Sequence, residues 1–476
     1  MRLNWKRALC LAAALLVLLP LASGLAADHD KVINNQYGGD WQPIPKSYVL
    51  KTSVSYLNAD LGALKQPNDL DIGPNGHIYI ADTGNNRIVE LDEKFQPVAA
   101  YKNEEQKKFR SPQGVFVDEY GAIFVADTDN SRVVKMSSSG KFVEEFKKPT
   151  SAILGDNFNF TPRKVAVSST GYLYAIRLQW LMQIDAQGKF CGYIGTNQVG
   201  FDLWYRIRQL LSNERQRIAL QKREPSSIRS FDIVDSGALY VTTAETTAQL
   251  KKINSVGKNI YPFTGKFGYT IWNDQLAQNP IFSDVAVNDD EIVCMLEEHA
   301  GELHIYDPDG NNLTIFGGLG EGSGRMSSPV AVEIDNDGCV YVVDQKRNAL
   351  MVFEPTYMMQ QVLQAVKLYA DGRYTQAAEY WQTILDIDSN FTLANAGLAK
   401  AYFKQGEYGL AMKYYRFSED KLGYSQAFSR YKTEIIRNHF PIVVLCCLAV
   451  IVVLILIVKF ILWYTRTILR RYDSMI

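Results

Sequence analysis

Residues 76–92 read GHIYIADTGNNRIVELD, and residues 121–137 read GAIFVADTDNSRVVKMS. The two stretches share one template, within which Asp82 and Asp127 stand 45 residues apart. That spacing is the range in which a repeat folds as one four-stranded propeller blade. Ile78 and Ile80 alternate with Tyr79 and Ala81, the period of a pleated strand. Turn chemistry follows at Pro74-Asn75-Gly76, Asp309-Gly310 and Asn336-Asp337-Gly338.

The residues also carry a family resemblance. Pro67-Asn68-Asp69, Gly76, the Ile-Ala-Asp run ending at Asp82, Asn85-Asn86-Arg87 and Ile88 to Asp92 resemble an NHL repeat. Pro112-Gln113-Gly114, Gly121, the Val-Ala-Asp run ending at Asp127, Asn130 and Arg132 match the same pattern. Later copies decay but keep register. Pro162, Gly171 and Asp185 to Gly188 frame a third, with Arg177 in place of the aspartate; Gly237 to Thr243 mark a fourth. Ile292 to Glu297 with Leu303 to Asp307 mark a fifth, and Pro329, Gly338 and Asp344 a sixth. The resemblance spans residues 47–355 and implies a mainly β fold, a six-bladed NHL-type β-propeller. The sixth copy stops after its third strand, at Phe353-Glu354-Pro355, which leaves an open outer edge. SYVLKTS at 47–53 is expected to supply the missing strand and close the ring.

Arg2, Lys6 and Arg7 precede an apolar run from Ala8 to Ala22 and small residues through Ala27, the order of a secretory signal. We therefore read residues 1–27 as a signal peptide and 28–46 as a linker, with the propeller outside the cytoplasm. Phe440 to Val458 carries no charge; as a helix it would cover about 28 Å, close to the hydrocarbon thickness of a bilayer. A single transmembrane helix is expected over 440–464. Lys459 extends to the interface, Trp463 and Tyr464 suit the headgroup belt, and 465–476 forms a cytoplasmic tail. The expected location is the cell membrane, with one pass.

Between propeller and span the period becomes helical. Ala365, Leu368, Tyr369, Gly372, Tyr374, Ala377, Ala378, Trp381 and Leu385 resemble a tetratricopeptide repeat, and Leu398, Tyr402, Gly406, Tyr408, Ala411, Tyr414 and Tyr415 repeat it about 34 residues on. A small TPR-like helical domain is expected over 358–439, as a partner surface or as a spacer. A partner groove would be lined by Tyr402, Tyr408, Tyr414 and Tyr415, although aromatics at this spacing are more often core.

Charge is balanced, 50 basic against 51 acidic residues, and nothing suggests a nucleic-acid surface. Cys191, Cys294 and Cys339 lie in the exported part without CxxC or Cys/His spacing, so neither a disulfide framework nor a zinc site is expected. Asp82/Arg87 and Asp127/Arg132 recur at fixed spacing and read as structural ion pairs, since an enzyme needs one site and not six. Asp71, Asp232 and Glu333 fall at equivalent inner-strand positions, where carboxylates near one axis could hold a divalent cation. Solvated acids at a channel mouth are the commoner outcome. The propeller histidines are His77, His299 and His304, which do not compose a catalytic zinc triad, and no Gly-x-Ser-x-Gly elbow occurs.

Residues 201–224 interrupt the repeat between the third and fourth copies. Trp204, Ile207, Leu211 and Ile218 recur at helical spacing, while Arg206, Arg208, Arg215 and Arg217 make the rest basic. This insertion is either a helix packed on the ring with a solvated basic face or a docking element for an acidic protein or lipid headgroups. The chain as read resembles bacterial membrane-anchored proteins that join NHL repeats to tetratricopeptide-like helices and a C-terminal span. Such proteins are often encoded beside sugar-importing ABC transporters, which implies transporter components as partners. The expected function is a non-enzymatic extracytoplasmic platform without a cofactor. The alternative is a propeller enzyme of lactonase or lyase type, acting on a small molecule with a divalent metal.

Overall fold

The computed structural model describes residues 29–33, 41–102, 108–151, 154, 158–194, 227–255, 257–273, 276–389 and 391–473. The expected signal segment, the final residues of the tail and the whole insertion, with Trp204, Arg206, Arg208, Arg215 and Arg217, lie outside them. The chain divides into two units, residues 1–367 and 368–476.

The first unit is a six-bladed β-propeller. Its first blade runs Asp69–Ile72, Ile78–Asp82, Arg87–Leu91 and Pro97–Tyr101 as an antiparallel meander. Ile80 and Val89 pack toward Leu350 and Val352 of the last blade, while Ala81 and Ile88 pack toward Val115 and Val125 of the second. Successive side chains of a strand face opposite sides, so one strand serves two inter-blade cores. Each fully buried Ile or Val there contributes about 1.5–3 kcal/mol. Gly76 sits at φ +74 in the tight turn between the first two strands, and Gly121 repeats it at φ +77, conformations that a side chain disfavours.

The second blade (Pro112–Val117 to Phe142–Phe146) and the third (Lys164–Val167 to Phe190–Ile194) repeat the plan. Among the described residues the fourth has three strands, Ile228–Ile233, Leu239–Thr243 and Leu250–Ile253. The aromatic segment carrying Tyr261 and Phe267 then packs with Tyr240 and Tyr306. In the sixth blade, Pro329–Ile334, Val340–Asp344 and Ala349–Pro355 are completed by Tyr48–Val54, antiparallel from Leu350↔Val54 to Pro355↔Tyr48. The strand demanded by the open edge closes the ring, one residue later than the sequence suggests.

The segment read as a linker is not plain linker. Asp30–Ile33 and Trp41–Ile44 pair with each other, and the first of them adds to Asn312–Gly317 at the outer edge of the fifth blade. Polar contacts explain this placement. The Asp30 carboxylate accepts from Ser47 N and Oγ, both at 2.6 Å, and Lys31 Nζ lies 2.6 Å from Glu302 Oε1 and 2.7 Å from the Tyr269 hydroxyl.

In the second unit, helices Tyr374–Ile387, Thr392–Gln405 and Tyr408–Phe417 lead into Lys421–Asp473; Tyr357–Ala370 precedes them. Gly372 and Gly406, 34 residues apart, take φ +76 and +87 between helices. A Cβ at Gly397 would come within 2.3 Å of the Trp381 ring, so these helices meet at van der Waals contact. Tyr415 is buried, Tyr402 stacks on Tyr414 at 5.6 Å, and Tyr408 meets Phe403 edge-on. Tyr402, Tyr414 and Tyr415 thus take part in the packing of the helices, with Tyr402 and Tyr414 only partly buried. Lys421–Asp473 is one continuous helix that carries the apolar stretch from Phe440 to Val458 without a break. It is the one described helix long and apolar enough to cross a membrane.

Candidate functional site

Every blade contributes its first strand to the axial channel, and the register defines two tiers. Asp69, Gly114, Lys164, Ser230, Asp284 and Ala331 pair with equivalent residues of the second strands, namely Ala81, Ala126, Ile176, Thr242, Leu296 and Val343. Two residues on, Asp71, Phe116, Ala166, Asp232, Ala286 and Glu333 form the second tier. Asp71, Asp232 and Glu333 thus occupy equivalent places, as the repeat alignment requires.

An innermost strand has a row of amides with no strand partner, and the acids meet that need. Val115 N donates to Asp69 Oδ2 at 3.1 Å, Val117 N to Asp71 Oδ2, Val287 N to Asp232 Oδ2 at 2.8 Å and Val332 N to Asp284 Oδ2 at 2.9 Å. In each case an acid caps the amide of the following blade. Lys164 Nζ then bridges Asp284 Oδ1 at 2.9 Å and Asp69 Oδ1 at 3.3 Å, and Ser230 Oγ donates to Asp284. Charged bonds of this kind are among the stronger ones, and removing one partner strands the others.

Burial and crowding govern the protons. Burial pushes Asp69 up to about 6, with Lys164 pulling it back and Asp284 pushing further. Asp232 likewise rises to about 6 through burial, moderated by Lys164. Asp71 is raised well above the carboxylate range by burial, against the Val117 amide and with repulsion from Asp232. Burial, Asp232 and Asp71 raise Glu333 in the same way. Burial alone would lower Lys164, but Asp284 and Asp69 outweigh it and hold its charge.

Among the described residues, no group of three or more His, Cys, Asp or Glu is placed to hold a metal ion. Asp71, Asp232 and Glu333 therefore do not make the cation site considered from sequence. They sit on blades one, four and six, and two of the three spend an oxygen on backbone amides. The histidines are separate: His77 Nδ1 lies 2.7 Å from Glu90, His299 Nδ1 3.0 Å from Glu297, and His304 is buried among aromatic rings with its pKa lowered by burial to about 4.

The repeating pairs lie away from the channel, where the second strand ends. Asp82 Oδ2 accepts from Arg87 Nε at 2.6 Å and Asn85 at 2.9 Å, while Oδ1 takes the Lys65 amide at 2.7 Å. Asp127 does the same with Arg132 at 2.7 Å, Asn130 at 2.8 Å and the Arg110 amide at 2.7 Å. Each aspartate, fully buried, ties the incoming connection to its blade. Asp69, Lys164, Ser230 and Asp284 are the residues that sequence reasoning passed over. The period of two, applied one step upstream of Asp71 and Asp232, would have found them.

No curated protein matches the chain. Solved structures similar to it include a streptogramin B lyase, 13% identical, covering 69% of this chain and 87% of its own, with a TM-score of 0.39. A catalytically inactive virginiamycin B lyase from Staphylococcus aureus, solved with quinupristin, is 11% identical over 69% and 96%, with a TM-score of 0.39. A putative gluconolactonase is 9% identical over 69% and 98%, with a TM-score of 0.42. Likeness at this level carries nothing about activity. The NHL repeat family matches residues 64–91, the three inner strands of the first blade.

Proposed function

We propose that the chain is a non-enzymatic interaction platform, held by its C-terminal helix at the outer surface of a cytoplasmic membrane. Its partners are components of an envelope system such as a sugar-importing ABC transporter. The observation that carries this reading is the internal use of the axial groups. The carboxylates that a hydrolase would turn on a substrate cap backbone amides and hold Lys164. What remains for recognition is the rim and the connections, the usual place for binding on a rigid scaffold.

The helical unit adds a packed set of hairpins that suits a tetratricopeptide-like partner surface, and the apolar helix supplies an anchor. Crosslinking in intact membranes, followed by identification of the captured proteins, tests the platform. Envelope components should be recovered, and glutamate at Arg206, Arg208, Arg215 and Arg217 should lose those that dock on the insertion. Stoichiometric calcium or zinc in the purified protein, with turnover of a small lactone, would replace this reading with the enzyme.

A further inference from the structure

A third ring of equivalent positions lies immediately before the first tier: Asn68, Gln113, Arg163, Arg229, Ser283 and Val330. In blades two, four, five and six this residue is the extra one of a β-bulge, where the pairing slips between Pro112/Gly114, Ile228/Ser230, Phe282/Asp284 and Pro329/Ala331. A bulge re-aims its side chain out of the ladder and is common beside binding sites. The ring lies where each first strand begins, on the face that receives every blade-to-blade connection. Side chains of this ring reach the next blade's bulge: Asn68 Nδ2 donates to Gln113 O at 2.9 Å, and Arg163 Nη2 to Arg229 O at 3.2 Å.

Blades three and four thereby set two arginines side by side. Burial, with the charge of Arg229 second, lowers the Arg163 pKa. The acids nearby do not balance the pair. Asp284 already accepts from Lys164, Ser230 and Val332, and the half-exposed Glu298 stands 3.7 Å from Arg229 Nη1. Among the described residues, Arg229 Nε is buried without a hydrogen-bond partner, and the carbonyl of Arg229 is the one acceptor of the Arg163 guanidinium. A guanidinium offers five donors in a planar fork matched to the oxygens of a carboxylate or phosphate.

We propose that Arg163 and Arg229 form an oxyanion site at the channel mouth, which takes a carboxylate or phosphate group of a small ligand. The anion lies between the two forks and supplies the negative charge that the ring lacks. This site goes beyond the platform reading and does not depend on it, since partner capture and anion binding are measured separately.

The test is calorimetric titration of the detergent-purified full-length chain with inorganic phosphate and, separately, with succinate. One anion or both should bind saturably at one site per chain; which of them does so identifies the group. Arg163→Gln and Arg229→Gln should each weaken binding about tenfold or more, the scale of a charge-assisted hydrogen bond. Lys94→Gln, in a tight turn of the opposite face, should leave binding unchanged. Arg229→Lys serves if Arg229→Gln does not fold, and should weaken binding through loss of the fork. Absence of saturable binding by both anions, or wild-type affinity in either arginine variant, overturns the proposal.

Discussion

Glu333 shows how one residue position sets a property of the ring. It shares its tier with Asp71 and Asp232, and among the described residues its carboxyl meets no hydrogen-bond donor, whereas theirs take backbone amides. Free carboxyls titrate near 4. In the folded chain Asp69 and Asp232 titrate at about 6, and Asp71 and Glu333 are raised well above the usual range. From about pH 4 upward the folded state therefore holds more protons than the unfolded one. Linkage makes these groups' contribution fall as pH rises through 6, so it is greatest in acid. Glu333→Gln removes one strongly raised carboxyl, and with it that group's share of the titration, and should flatten this dependence. A gain of about 1–2 kcal/mol at pH 7.5 relative to pH 5 is expected, on the scale of one pKa unit. Thermal unfolding of both proteins across pH 5–7.5 checks it, and parallel curves would dispose of the argument. The repeat alignment revealed this tier because equivalent positions carry it. It did not reveal that the acids cap the next blade's amides, since those partners lie 46 to 55 residues away in sequence.

At the scale of elements, the legible features were those the chain states locally: alternation, turn residues and the count of strands in each copy. The missing fourth strand of blade six was visible as a deficit, and Tyr48–Val54 answers it with the Tyr48 hydroxyl donating to Gly338 O at 3.0 Å and its ring stacked on Phe316 at 4.2 Å. The strands Asp30–Ile33 and Trp41–Ile44 escaped, because four residues are too few to show a period and their hold comes from Asp30–Ser47 and Lys31–Glu302. The two segments should therefore differ in what their removal does. A propeller piece spanning 47–367 keeps the closing strand and should fold as a monomer that unfolds several degrees below 29–367. One spanning 56–367 exposes the unpaired edge of Ala349–Pro355, which templates association, and should aggregate. Size-exclusion chromatography with circular dichroism separates these outcomes. A monomeric, cooperatively unfolding 56–367 would show that the ring does not depend on its closing strand.

Across the whole molecule, the antiparallel order of every blade sends all blade-to-blade connections to one face and leaves the other to tight turns. Ile194 and Ser227, the described residues that flank the insertion, lie on that connection face, as do Arg163 and Arg229. The scaffold was readable because it repeats; the connection face was not, because it differs from blade to blade. The far end of the chain poses the remaining solvent question. In the helix Lys421–Asp473, the side chains from Phe440 to Leu462 are exposed. At about 1.5–3 kcal/mol for each large apolar side chain, leaving such a run in water costs tens of kcal/mol, far beyond the stability of an ordinary domain. Lipid removes that cost without any protein partner, and the run has the length of a bilayer core. Pro441 stands at its first turn, and Lys459 at its far margin can reach the interface. Full-length chain should accordingly stay in the membrane pellet after alkaline carbonate extraction, whereas a chain ending at Arg437 should be released to the supernatant. Release of the full-length chain by carbonate would mean that a protein surface, and not lipid, covers the helix, and the anchor in the proposed function would fall with it.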